Sequence, residues 1–189
     1  MDKKFVGLSI GLVCIGVLIG AFVFYSFQWG FFRSAELNID VGTMSLHMHA
    51  EVEFANGTIL DLGYHTGVLT TIGKNWIEDQ LGDSPSTNPA KWISLSTSTS
   101  TPLASWTQIP TEITTGGLER ATGTYTSTGD GVWTISLQFT ASATHTNVQL
   151  CGFQYAVSGD GNLMWADTFT PVTLSISDKL TVTGTTTVT

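Results

Sequence analysis

The sequence predicts an all-β protein: an antiparallel β-sandwich of jelly-roll type with one short helix, preceded by an N-terminal transmembrane helix. Three observations predict it. Residues Phe5 to Phe32 carry no charge. Beyond them come about eight or nine short runs of alternating or β-branched residues, separated by turn signals rich in Gly, Asn and Asp. Charged residues make up only 12% of the chain and aromatics 11%, a balance that suits strands around a core better than disorder.

Taken in order, the first element is the apolar run Phe5 to Phe27. Its ~23 residues would span about 34 Å as a helix, enough to cross a bilayer. The exit reads "YSFQWGFFRSAE". Large aromatics and Arg33 stand where a cleavage site needs small residues, so the expectation is an uncleaved signal-anchor. "MDKK" then stays on the cytoplasmic side, and Tyr25, Trp29, Phe31 and Phe32 form an outer aromatic belt. This divides the chain into residues 1–33 (tip and membrane helix), 34–44 (connector or donor strand) and 45–189 (extracytoplasmic sandwich). Gly7 and Gly11 are four apart, as are Gly16 and Gly20. That spacing lets membrane helices approach closely, although glycine is common in such helices for other reasons.

In "SLHMHAEVEF", Leu46, Met48, Ala50, Val52 and Phe54 alternate with Ser45, His47, His49, Glu51 and Glu53, the pattern of a half-buried strand. Asn56-Gly57 marks a hairpin, with "TILDL" as the return strand. "TTIGKNWIEDQL" has Ile72, Trp76, Ile77 and Leu81 at helical spacing, with Gly82 as its cap. "KWISLS" is a strand. A loop of about 20 residues follows to Gly117, long enough to hold a turn or edge strand of its own. The remaining strands are "LERATGTYTST", "VWTISLQFTA", "NVQLCGFQYAV", "NLMWADTF" and "KLTVTGTTTV", with turns at Gly129-Asp130-Gly131 and Ser158–Gly161.

The net charge is −8. Beyond Arg33 the only cations besides histidine are Lys74, Lys91, Arg120 and Lys179. Phosphate binding needs clustered Lys and Arg, so nucleic acid is excluded as a partner. Cys14 lies in the apolar run and Cys151 in the sandwich, so no disulfide forms within the chain, and Cys151 reads as a small buried apolar residue.

From Val68 onward, the order "VLTTIGKNWIEDQL", "KWISLSTSTSTP", "EITTGGLERATGTY", "WTISLQFTASATHTNVQLCGFQYA" and "GNLMWADTFTPVTLSISDKLTVTGTTTV" resembles a β-sandwich family of phage tail and fibre-type structural proteins. It is also similar to uncharacterised membrane-anchored surface proteins of archaea. Two positions depart from the pattern: Ser177 stands where a glycine is expected and Gly184 where an aromatic is expected. The resemblance implies a structural, self-assembling module and carries over no catalytic residue. The N-terminus also loosely resembles a pilin-type leader and helix, but it lacks an acidic residue after the leader.

The residues offer few candidates for chemistry. His47 and His49 share one strand face, Glu51 continues the row, and His65 falls on the return strand. Together they could hold zinc or copper, though a solvated strand face explains the same residues. His145 reads as exposed in a loop. No G-x-S-x-G motif occurs in the sandwich, residues 45–189; the one match in the chain, Gly7 to Gly11, lies inside the apolar run. The two Gly-Asp-Gly turns have too few oxygen ligands for calcium. Glu112 and Arg120 read as an ion pair. Asn56-Gly57-Thr58 is a glycosylation sequon at the hairpin tip. Trp106 reads as an exposed aromatic for surface binding. Leu37, Ile39 and Val41 alternate as a donated strand would, or as a first strand of their own domain. The expectation is therefore a non-enzymatic subunit of a surface assembly such as a filament, coat or tail-like appendage. It would use no cofactor, pair with its own copies, and sit in the bilayer through residues 5–27. The alternatives are a monomeric tethered adhesion module and a metal-binding ectodomain.

Overall fold

A computed structural model describes residues 43–83 and 88–189. The expected membrane helix with Gly7, Gly11, Gly16 and Gly20, and the candidate donor segment with Leu37, Ile39 and Val41, fall outside the described residues. Among the described residues no helix is long and apolar enough to cross a membrane.

The alternating run forms β1 (Met44–Glu53), and its Leu46, Met48, Ala50 and Val52 are buried. At the hairpin tip Asn56 Oδ1 accepts from the Thr58 amide at 2.9 Å. Gly57 takes φ +82°, a left-handed conformation that glycine adopts without strain. The chain returns as β2 (Ile59–Thr66) and passes into β3 (Val68–Leu69). Helix α1 (Thr71–Gly82) starts at Thr70, whose hydroxyl accepts from the Gly73 amide at 2.9 Å. Gly82 is the last helical residue, and Asp83 holds the cap position expected of Gly82. The other strands are β4 (Trp92–Ser96), β5 (Ala121–Thr122), β6 (Thr124–Gly129), β7 (Val132–Thr140), β8 (His145–Gln154), β9 (Leu163–Leu174) and β10 (Lys179–Val188). The loop after β4 carries no strand, only a bridge between Ser96 and Glu112.

The strands form two antiparallel sheets, one in the order β2-β1-β10-β7-β6 and the other β3-β9-β8-β4-β5. The chain changes sheet between β2 and β3, β5 and β6, β7 and β8, and β9 and β10. The hairpins β1–β2, β6–β7 and β8–β9 stay within one sheet, so the strands do not alternate between sheets as the expected jelly roll would have them. β9 runs on past Pro171 because its register with β8 slips between Val148 and Leu150, where the missing proline N–H is not needed.

The inner faces interlock most tightly at Gly184 on β10. A Cβ there would lie 2.6 Å from Cζ of Phe153 on the facing sheet. The aromatic expected at position 184 is in effect supplied from across the sandwich. Ser177 does the work of the expected glycine, holding φ +75° in the β9–β10 turn. There Asp178 accepts from the Ser175 and Ala55 amides, both at 2.7 Å, which ties this turn to the β1–β2 hairpin.

Gly184→Ala should lower stability by about 1–3 kcal/mol through overpacking, measured by urea unfolding. Combined with Phe153→Leu, the loss should be smaller than the sum of the two single variants, because the two positions share one space.

Candidate functional site

One end of the sandwich opens into an apolar cavity of about 350 Å³. Strand alternation builds it. Leu46, Trp133, Ile135 and Gly184 line it from one sheet, and Phe153 and Trp165 from the other. Trp76 of α1 closes a further side, and Tyr125 of β6 stands at the rim, 59% exposed. Lys91 is the one charged residue among the described lining residues. The volume suits a small apolar ligand or a few aliphatic side chains, and these walls offer contact and not acid–base chemistry.

Tyr125 also connects the cavity to the sheet edge. β6 pairs only with β7, and all six of its residues, Thr-Tyr-Thr-Ser-Thr-Gly, are exposed. It has no charge or proline, and no cover among the described residues, the usual guards of an edge. The opposite edge, β2, exposes Ile59, Leu60 and Tyr64, but its row is broken by Asp61 and by a register shift at Ala50/Glu51. β3 and β5, the edges of the other sheet, are two residues each.

The histidine face does not assemble as expected. His49 Nε2 lies 2.9 Å from Asp61 Oδ1, and its ring stacks on Tyr64 with centroids 4.4 Å apart. The Gly63 amide and His49 together hold the Asp61 carboxyl below its usual range. His47 is exposed and meets only Thr66 Oγ1, at 3.4 Å. Glu51 stays half-buried on β1. The β2 bulge pairs His65 with the buried Met48, so His65 turns toward the core side and its Nε2 meets the Leu62 carbonyl at 3.0 Å. Among the described residues no three His, Cys, Asp or Glu side chains could hold a metal. Asp61, the partner His49 does find, sits opposite Glu51 and reaches His49 diagonally, a pairing that strand alternation alone does not announce.

His65 instead acts on Asp167 of β9. Asp167 is only 9% exposed, its Oδ1 accepts from the Thr168 amide at 2.8 Å, and its Oδ2 is buried without a partner. Burial raises its pKa, and the Thr168 amide and His65 offset part of the rise. Cys151 is buried, and desolvation followed by the Asp167 charge pushes its thiol well above the ordinary value, so it is no nucleophile.

Two other expectations need correction. Trp106 is half-buried, because a turn from the Leu103 carbonyl to the Trp106 amide (3.0 Å) folds the loop back. His145 is half-buried at the start of β8, with Nε2 3.1 Å from the Gly116 carbonyl. Asn56 is exposed as the sequon reading requires. Glu112 and Arg120 form a two-pronged pair at 2.8 and 2.6 Å, and Arg120 also donates to the Ala156 carbonyl and to Asn162 Oδ1, each at 3.2 Å. No family model, curated protein or solved structure matches the chain.

The Arg120 side chain is 7% exposed, so Arg120→Ala leaves Glu112 and three further acceptors without it and should cost about 3–5 kcal/mol in denaturant unfolding. Asp167 gives a pH signature. A folded pKa raised above the unfolded one means folding favours the protonated acid. Its stability is then whole below the ordinary carboxylate range and is lost as pH rises through the folded value. Asp167→Asn should therefore melt above the parent at pH 7, and the gap should close near pH 3, below the usual Asp value of about 3.9.

Proposed function

We propose that this protein is a non-enzymatic structural subunit of a surface assembly, anchored by its N-terminal apolar segment with the sandwich displayed outside the cell. The observation that carries this reading is the unguarded β6 edge beside the aromatic cavity. An edge of this kind is a template for a strand from another chain. The connector around Leu37, Ile39 and Val41 supplies a matching strand in sequence. Docked along β6 of a neighbouring copy, its aliphatic row would continue the inner face past Tyr125 and cover the cavity mouth, leaving Asn38 and Asp40 outside. The uncharged Thr-rich edge, the glycine spacings in the anchor and the resemblance to tail- and fibre-type sandwiches agree with this reading. A second reading is a tethered binding module that takes a small apolar ligand in the same cavity, which its volume and lining favour.

Negative-stain microscopy and sizing of the full-length protein extracted from its membrane separate the two. Assembly predicts ordered oligomers or filaments. Thr124 and Thr126 sit in the outward row of β6, so replacing both with lysine should disperse the particles and leave the melting temperature within a few degrees of the parent. Monomers from the unaltered chain would sink the assembly reading.

A further inference from the structure

A second concavity, of about 360 Å³, lies between α1 and the β8–β9 turn. Asn75, Trp76, Asp79 and Gln80 line it from the helix, and Tyr155 and Gly161 from the turn. Asn75 and Asp79 are one helical turn apart, as are Trp76 and Gln80, so one helix face presents all four. The Trp76 and Tyr155 rings stack with centroids 6.0 Å apart and planes inclined by 19°. The Tyr155 hydroxyl donates to the Gly161 carbonyl at 2.6 Å, which leaves its oxygen free to accept. Two donors of the lining residues, Trp76 Nε1 and Gln80 Nε2, are shielded from solvent and have no hydrogen-bond partner among the described residues. Native proteins rarely leave such groups unmade, and two within one turn of helix mark a place where a small turn of either side chain toward the groove would gain a hydrogen bond.

The lining residues restrict what that partner is. Among the described lining residues none is Lys, Arg or His, so they offer nothing to balance a phosphate or carboxylate. A single carboxylate, Asp79, is too little for a divalent cation. What remains is a neutral molecule that both gives and accepts hydrogen bonds and has an apolar face to lay against aromatic rings. We infer that this groove binds a saccharide unit. Hydroxyl oxygens would accept from Gln80, Trp76 and Asn75, a hydroxyl would donate to Asp79, and ring C–H groups would rest against Trp76 and Tyr155. A peptide backbone shares the hydrogen-bonding pattern but lacks the stacked ring face, so the saccharide is favoured. The inference does not rest on the assembly reading, since it uses neither β6 nor the connector and shares only Trp76 with the apolar cavity.

The test is nitrogen–proton NMR of the full chain in micelles free of sugar headgroups. The Trp76 indole resonance is assigned by its disappearance in Trp76→Phe. Glucose, galactose, mannose and N-acetylglucosamine are titrated in turn, with triglycine as the peptide control. At least one sugar should shift that resonance saturably. Asp79→Ala, which removes a charged acceptor, should weaken the response about ten-fold, and Gln80→Leu should weaken it as well. The inference is overturned if no sugar moves the resonance, if triglycine moves it as strongly, or if both variants respond like the parent.

Discussion

The Arg120 guanidinium is the contact on which much of the outer layer depends. Its side chain ties the long loop, at Glu112, to the β8–β9 turn, at the Ala156 carbonyl and Asn162. The loop it secures covers the outer face of the β3-β9-β8-β4-β5 sheet. Ile109, 3% exposed, sits over Gly152, where an added Cβ would come 3.4 Å from the isoleucine. Without that cover, Leu150 and the buried Ser94 and Gln154 would lose their dry surroundings. A fork of five N–H donors in a fixed plane can meet a carboxylate and two further acceptors at once, which a lysine cannot. The same clamp fixes the turn that carries Gly161 and so one wall of the groove beside α1.

The sequence made the strands legible wherever period and turn chemistry agreed. β1, the Asn56-Gly57 turn and β10 need only alternation and a glycine, and these are local properties. The pairing of strands was not legible. Nothing local places β10 between β1 and β7, because that neighbour relation is decided by which inner faces fit, as at Gly184 and Phe153. The histidine face shows the same limit at a finer scale. His47 and His49 share a face because i and i+2 on one strand must. His65 leaves them because a single bulge in β2 inverts parity, and a bulge costs one residue that no pattern announces. Trp106 was misjudged for a related reason: a polar loop with no strand of its own still folds back on a sheet when it carries Ile109, Ile113 and Leu118 to bury.

Trp76 joins the two concavities. Its indole lines the apolar cavity on one side and the polar groove on the other. It is held there by the close seat of α1 on β9, where Gly73 leaves no room for a side chain: a Cβ would lie 2.6 Å from the Met164 carbonyl oxygen. Any larger residue at 73 would lift the helix and move the ring away from both. Filling the mouth with a strand from another copy would press on the indole from the cavity, and a saccharide would rest against it from the groove. Two partners that act on opposite sides of one rigid ring share its position even when they never touch. Such coupling needs a shift in only one side chain and its helix, because close-packed elements move as units and do not absorb strain smoothly. If both partners bind as proposed, occupancy of the groove and coverage of the mouth would be linked through Trp76, and by thermodynamic reciprocity each would change the affinity for the other by the same factor.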